Sequence, residues 1–147
     1  MRNVSMSTFI IALALLATAW STAAQTMQGK ELAAVTLTGA TEVPGPGDSD
    51  GSGTVKLTLN TEKGEVCYEL TVANIQEATA AHIHEGAMGK AGPVKVGLDA
   101  PKTGSVKGCK SADAAVIQDL MQNPANYYVN IHNAEFPQGA VRGQLSK

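Results

Sequence analysis

The sequence predicts an all-β fold, an antiparallel Greek-key sandwich with one short helix, and three observations support it. Apolar residues alternate with polar ones in several short runs, the pattern of strands half-buried against a core. Clusters of glycine, proline, asparagine and aspartate separate those runs. Only one segment spaces its apolar residues at the helical interval.

Taken in order, residues 1–24 carry Arg2, an apolar run from Phe9 to Ala19 and the small residues Ser21-Thr22-Ala23-Ala24. That plan predicts a cleaved secretory signal, since the apolar run falls short of the ~20 residues that span a bilayer. Cleavage leaves residues 25–147 as one domain, a size that supports a single core. The first strand is expected over Glu31–Leu37, with Ala33, Val35 and Leu37 on one face. Pro44 to Gly53 is read as a mobile connection, because its two aspartates, Asp48 and Asp50, lack the distal glutamate of a calcium loop. Gly53–Leu59 and Glu65–Val72 alternate and are joined by a turn at Thr61-Glu62-Lys63-Gly64. A strand through His82 and His84 follows, then the glycine-dense loop Gly86–Pro93, and then a strand over Val94–Leu98. That loop has neither the spacing nor the following helix of a phosphate-binding loop, and it reads as a tight wrap beside the histidines. Met88 within it is a candidate to approach a soft metal. Ser111 is the expected N-cap of the helix, Asp113 suits its positive end, Val116, Ile117, Leu120 and Met121 form its core stripe, and Asn123-Pro124 ends it. Tyr127–Asn133 and Gly139–Leu145 are the closing strands.

Loss of the signal removes Arg2, leaving ten basic side chains against thirteen acidic ones and a net charge of −3. With no basic patch to neutralise phosphates and no basic amphipathic segment, nucleic acid and, once the signal is cleaved, membrane surfaces are excluded as partners. Cys67 and Cys109 are the only cysteines. In an exported chain an even pair outside any close-spaced zinc motif reads as a disulfide, closing a loop that contains His82 and His84.

The three histidines of the chain, His82, His84 and His132, fall in two strands. Side chains alternate along a strand, so His82 and His84 share a face, and Tyr128, Asn130 and His132 share one opposite to Tyr127, Val129 and Ile131. Three convergent imidazoles suit a transition metal such as copper, zinc, nickel or iron, with a position left for water or a small anion. Glu85, Tyr128 and Asn130 are the candidates for a fourth ligand or for orienting a ring. By the same parity Arg142, the one arginine left after signal cleavage, shares the histidine face. There it either guides an anion or forms an ion pair with Glu85 or Glu135. A histidine pair on a strand edge can also be a hydrogen-bonding feature with no ligand.

The run Ala81-His82-Ile83-His84-Glu85-Gly86, the following Gly92-Pro93-Val94, the two cysteines, and Tyr127-Tyr128-Val129-Asn130-Ile131-His132 leading to Phe136-Pro137-Gln138-Gly139-Ala140-Val141-Arg142-Gly143-Gln144-Leu145 together resemble the CHRD domain. That module is named after chordin and is also found singly in exported bacterial proteins. The resemblance begins near Val35-Thr36-Leu37-Thr38-Gly39 and covers nearly all of residues 25–147. It implies a periplasmic or extracellular location. A more distant similarity links His82, His84, His132 and Arg142 to the copper ligands and anion-guiding arginine of copper/zinc superoxide dismutases, which share an immunoglobulin-like sandwich. That similarity implies copper as the cofactor, ahead of zinc or iron, and superoxide or another small anion as the partner. No further histidine bridges to a zinc subsite, so the pattern matches a copper-only site. Three function classes follow: a copper-dependent dismutase, a copper carrier without turnover, and a metal-free extracellular binding or adhesion module.

Overall fold

The computed structural model describes residues 29–147, and the expected signal over 1–24 lies outside the described residues. Nine strands and one α-helix are present among them: β1 (Lys30–Glu31), β2 (Val35–Thr38), β3 (Ser52–Asn60), β4 (Glu65–Ala73), β5 (Ala78–Glu85), β6 (Val94–Leu98), β7 (Ser105–Ser111), α1 (Ala114–Gln122), β8 (Tyr127–Asn133) and β9 (Val141–Gln144). All pairings are antiparallel. The strand order β6-β5-β8-β9-β2-β3-β4-β7 divides into two four-stranded halves joined through a single register pair, Thr38↔Arg142. The two halves fold over one another and enclose the core, so the all-β expectation holds.

Alternation decides what the core contains. Val55, Leu57 and Leu59 of β3 and Val66, Tyr68 and Leu70 of β4 meet Ala81 and Ile83 of β5 and Val129 and Ile131 of β8. Ile117 and Leu120 bring α1 onto this core, with Val116 and Met121 at its margin. The open seam between β6 and β7 is closed by polar contacts. Tyr68 Oη donates to Asp99 Oδ2 at 2.8 Å, and Lys110 Nζ pairs with Asp99 Oδ1 at 2.6 Å. Among the described residues no helix is long and apolar enough to cross a membrane.

Several expectations need correction. The first strand is broken into β1 and β2: Leu32 is buried while Ala33 is exposed, so the alternation shifts between the two pieces. β7 was not expected, and it takes Ser111 as its last residue, which makes Asp113 the helix N-cap. The connection after Pro44 is tied down, because Gly47 N–H donates to Gly39 O at 2.9 Å and Asp48 N–H to Ala140 O at 2.8 Å. Nothing larger than glycine fits at 39, where a Cβ would lie 1.8 Å from Asp48 O.

Cys67 and Cys109 stand directly opposite each other in the β4–β7 ladder and form a disulfide. β7 is an edge strand, so the bridge fastens the sheet where only one neighbour holds it. With a sequence separation of 42 between the cysteines, the chain-entropy relation puts its contribution at about 4 kcal/mol. Replacing both cysteines by serine is expected to lower the stability measured by urea unfolding by about that amount, while far-ultraviolet circular dichroism keeps its β signature. An unchanged unfolding midpoint would contradict it.

Candidate metal centre

The histidines are assembled by one ladder. β5 pairs with β8 in the register His82↔Asn130, His84↔Tyr128 and Ala80↔His132, and β8 pairs with β9 as Asn130↔Arg142 and Tyr128↔Gln144. Two-residue periodicity then places His82, His84, Tyr128, Asn130, His132, Arg142 and Gln144 on one face, opposite the core. That face is covered as well. Tyr128, Asn130 and Arg142 are only 3 %, 3 % and 2 % exposed, and the glycine-dense loop folds across Tyr128 and Arg142.

The ligand nitrogens of His82, His84 and His132 all lie within 4.8 Å of one another. His84 Nδ1 contacts Gly92 O at 2.8 Å and His132 Nδ1 contacts Pro137 O at 3.1 Å. A carbonyl only accepts, so each of these rings carries its proton on Nδ1 and turns the lone pair of Nε2 inward. His132 Nε2 lies 3.1 Å from His82 Nδ1, and His84 Nε2 is buried with no hydrogen-bond partner. Burial pushes His82 and His132 below the usual histidine value, with the neighbouring imidazoles acting in the same direction. Both are therefore neutral at neutral pH, the form that binds a cation.

Ligands held about 2.0–2.1 Å from one ion stand about 3.3 Å apart at a tetrahedral angle and at most about 4 Å apart. The His82–His132 pair is already at 3.1 Å, and the 4.8 Å limit of the set leaves at most ~1.5 Å to close by ring rotations, which the broad χ2 of histidine permits.

Gly92 holds two rings together. Its carbonyl accepts from His84, and its N–H donates to Tyr128 Oη at 3.2 Å. A Cβ there would stand 1.6 Å from Glu85 O, so only glycine fits. The Tyr128 ring stacks on His84 at 4.8 Å with an interplanar angle of 6°. The Arg142 guanidinium lies 3.4 Å from the centre of the Tyr128 ring and donates to Ala87 O at 3.2 Å. Arg142 therefore lies on the expected face, but as a buried support for the ring that backs His84.

Glu85, a candidate for the site, points away from it. Its parity is that of Ile83, and it pairs with Lys95 at 2.6 Å. Glu135 meets Gln76, so neither acid forms the anticipated ion pair with Arg142. Met88 is 78 % exposed. Asn130 does join the site, with Oδ1 3.0 Å from His132 Nε2.

One residue that sequence reasoning missed lies beneath this layer. Glu42 is 5 % exposed and faces Arg142 and Asn130. Burial pushes its carboxyl from the ordinary 4.5 up to about 7, against the opposing pull of the Val43 N–H, Arg142 and Asn130. Gly139, at φ 143°, makes room for it, since a Cβ there would meet Glu42 Oε1 at 2.3 Å.

A disulfide-linked all-β domain that gathers its histidines on one covered sheet face is thus defined. Residues 33–145 match the model of the CHRD domain, and the chain belongs to that family. No curated protein and no solved structure gives a significant match.

Because the folded state holds the Glu42 proton more tightly than the unfolded chain does, its contribution to stability is fully present below about pH 4.5 and is lost as pH rises through about 7. His82 and His132, whose values are depressed, act in the opposite sense. Comparing wild type with Glu42→Gln isolates the carboxyl: the stability difference from urea unfolding should shift in favour of the variant as pH rises across that window. A difference that stays flat would contradict the assignment.

Proposed function

We propose that this CHRD domain is an exported metal-binding protein whose centre is formed by His82, His84 and His132, with copper(II) as the ion. The observation that carries the reading is His84 Nε2, a buried lone pair without a partner, in a set of ligand nitrogens confined within 4.8 Å. An unpaired buried polar atom costs about 1–3 kcal/mol, and a bound cation offsets that cost. Three imidazoles without a thiolate suit borderline divalent ions, and copper(II) stands above zinc and iron in affinity for such a set. The Cys67–Cys109 bridge supports an oxidising compartment.

When bound, copper would supply a redox-active Lewis acid. The protein's own part is to fix the tautomers through Gly92 O and Pro137 O, and to leave His82 and His132 half-exposed as the route of approach. Dismutation of superoxide is the catalytic form of this reading. Its anion guide would be Arg142, and a guanidinium 2 % exposed against Tyr128 favours a packing role. Copper binding without turnover is therefore the preferred form. The exposed large apolar side chains among the described residues are Met88, in the glycine-dense loop, and Val94, at the start of β6, too little apolar surface to favour the metal-free adhesion reading.

Calorimetric titration with copper(II) against a competing chelator is expected to give one ion per chain, and His84→Ala should weaken binding by at least ~100-fold, beyond the 10–100-fold typical of losing an outer partner. Equal affinity in the variant would contradict the site. A superoxide assay of the loaded protein that exceeds free copper and falls with His84→Ala would instead favour the enzyme.

A further inference from the structure

His132 stands between two oxygen atoms. Pro137 O lies 3.1 Å from its Nδ1, and Asn130 Oδ1 lies 3.0 Å from its Nε2. A neutral imidazole has one N–H, so it can satisfy one of these contacts while the other sets lone pair against lone pair. Turning the Asn130 amide over would aim Nδ2 at the ring and remove the conflict, but Glu42 resists that turn. Its carboxyl bears on the Asn130 side chain, and its Oε1 is buried and open to a donor. A carboxylate only accepts, so it draws Nδ2 towards itself and leaves Oδ1 towards the histidines.

We propose that Asn130 Oδ1 is the fourth ligand of the metal held by His82, His84 and His132, and that Glu42 is the positioning residue that keeps this oxygen turned towards the ion. The inference rests on the metal-centre reading and adds its fourth ligand. A cation between Nε2 and Oδ1 turns the repulsive contact into two bonds. The spacings agree: 3.0 Å from Oδ1 to His132 Nε2 and 3.1 Å from there to His82 Nδ1, against the ~3.3 Å expected between neighbouring ligands of one ion. Three imidazole nitrogens and one amide oxygen make a set for copper(II) or zinc(II) and a poor one for copper(I), which prefers sulfur donors. Arg142 fits the same account, because its positive charge favours the ionised form of Glu42.

The test is copper(II) affinity by chelator competition, with electron paramagnetic resonance of the bound ion, at pH 8. Glu42→Gln can present either end of its amide to Asn130, so affinity is expected to fall ~10–100-fold. Combining Glu42→Gln with Asn130→Asp exchanges the two functional groups: the amide now donates to a carboxylate that still offers an oxygen to the metal. That reciprocal exchange is expected to restore affinity to within about threefold of wild type, and Asn130→Ala should lose it and shift the resonance in the direction of oxygen-ligand loss. If Glu42→Gln alone does not fold, the contrast between the reciprocal exchange and Asn130→Ala decides the matter. Wild-type-like binding by Glu42→Gln and Asn130→Ala would overturn the fourth ligand and leave the three-histidine centre standing. A wild-type protein that takes up no copper would overturn both.

Discussion

The pairing of β5 with β8 is the constraint on which the rest of the molecule depends. Its register sets Asn130 beside His82 and Tyr128 beside His84 while Ala81, Ile83, Val129 and Ile131 enter the core. A slip by one residue would turn His132 into the core and Ile131 out of it, exchanging every side chain between faces. The apolar core therefore enforces the polar arrangement on the other face. Because Ile83, Val129 and Ile131 are fully buried, the energy that holds the histidines in place comes from packing they do not take part in.

A sheet face usually looks onto solvent or onto a core, and this one does neither. The loop from Gly86 to Pro93 covers Tyr128 and Arg142, and Glu42 and Asn130 in the same layer are likewise nearly inaccessible. Glu42 Oε1, His84 Nε2 and Arg142 Nη1 have no hydrogen-bond partner. Burying such groups runs against stability, and their concentration at one place is the physical sign that the layer is kept for something other than folding. Arg142, Tyr128 and His84 form a stack across three adjacent strands. The guanidinium stiffens the tyrosine, and the tyrosine backs the His84 ring.

Much of this was legible in the sequence, for identifiable reasons. The strands with clean alternation, β3, β4, β8 and β9, were visible because one face of each meets the core. β7 was not: Ser-Val-Lys-Gly-Cys-Lys-Ser offers a single large apolar residue, since an edge strand closed by a disulfide and by Lys110 needs little apolar surface. Its extension through Ser111 also took away the anticipated helix cap. The three histidines were legible from parity alone, and parity would have removed Glu85 as well, because residue 85 alternates with 83 and not with 84. Arg142 was placed on the correct face, but its burial depends on a loop whose path no local pattern specifies. Glu42 sits in a proline- and glycine-rich turn region where an acid ordinarily means solvent. Only tertiary structure brings it under Asn130.

The central claim is that the three imidazoles share one ion. It is tested most directly by X-ray absorption at the edge of the metal carried by protein isolated from its native compartment. The account predicts copper with three imidazole nitrogens and one lighter oxygen donor at about 2 Å. A spectrum without imidazole scattering, or protein carrying no stoichiometric metal, would contradict it.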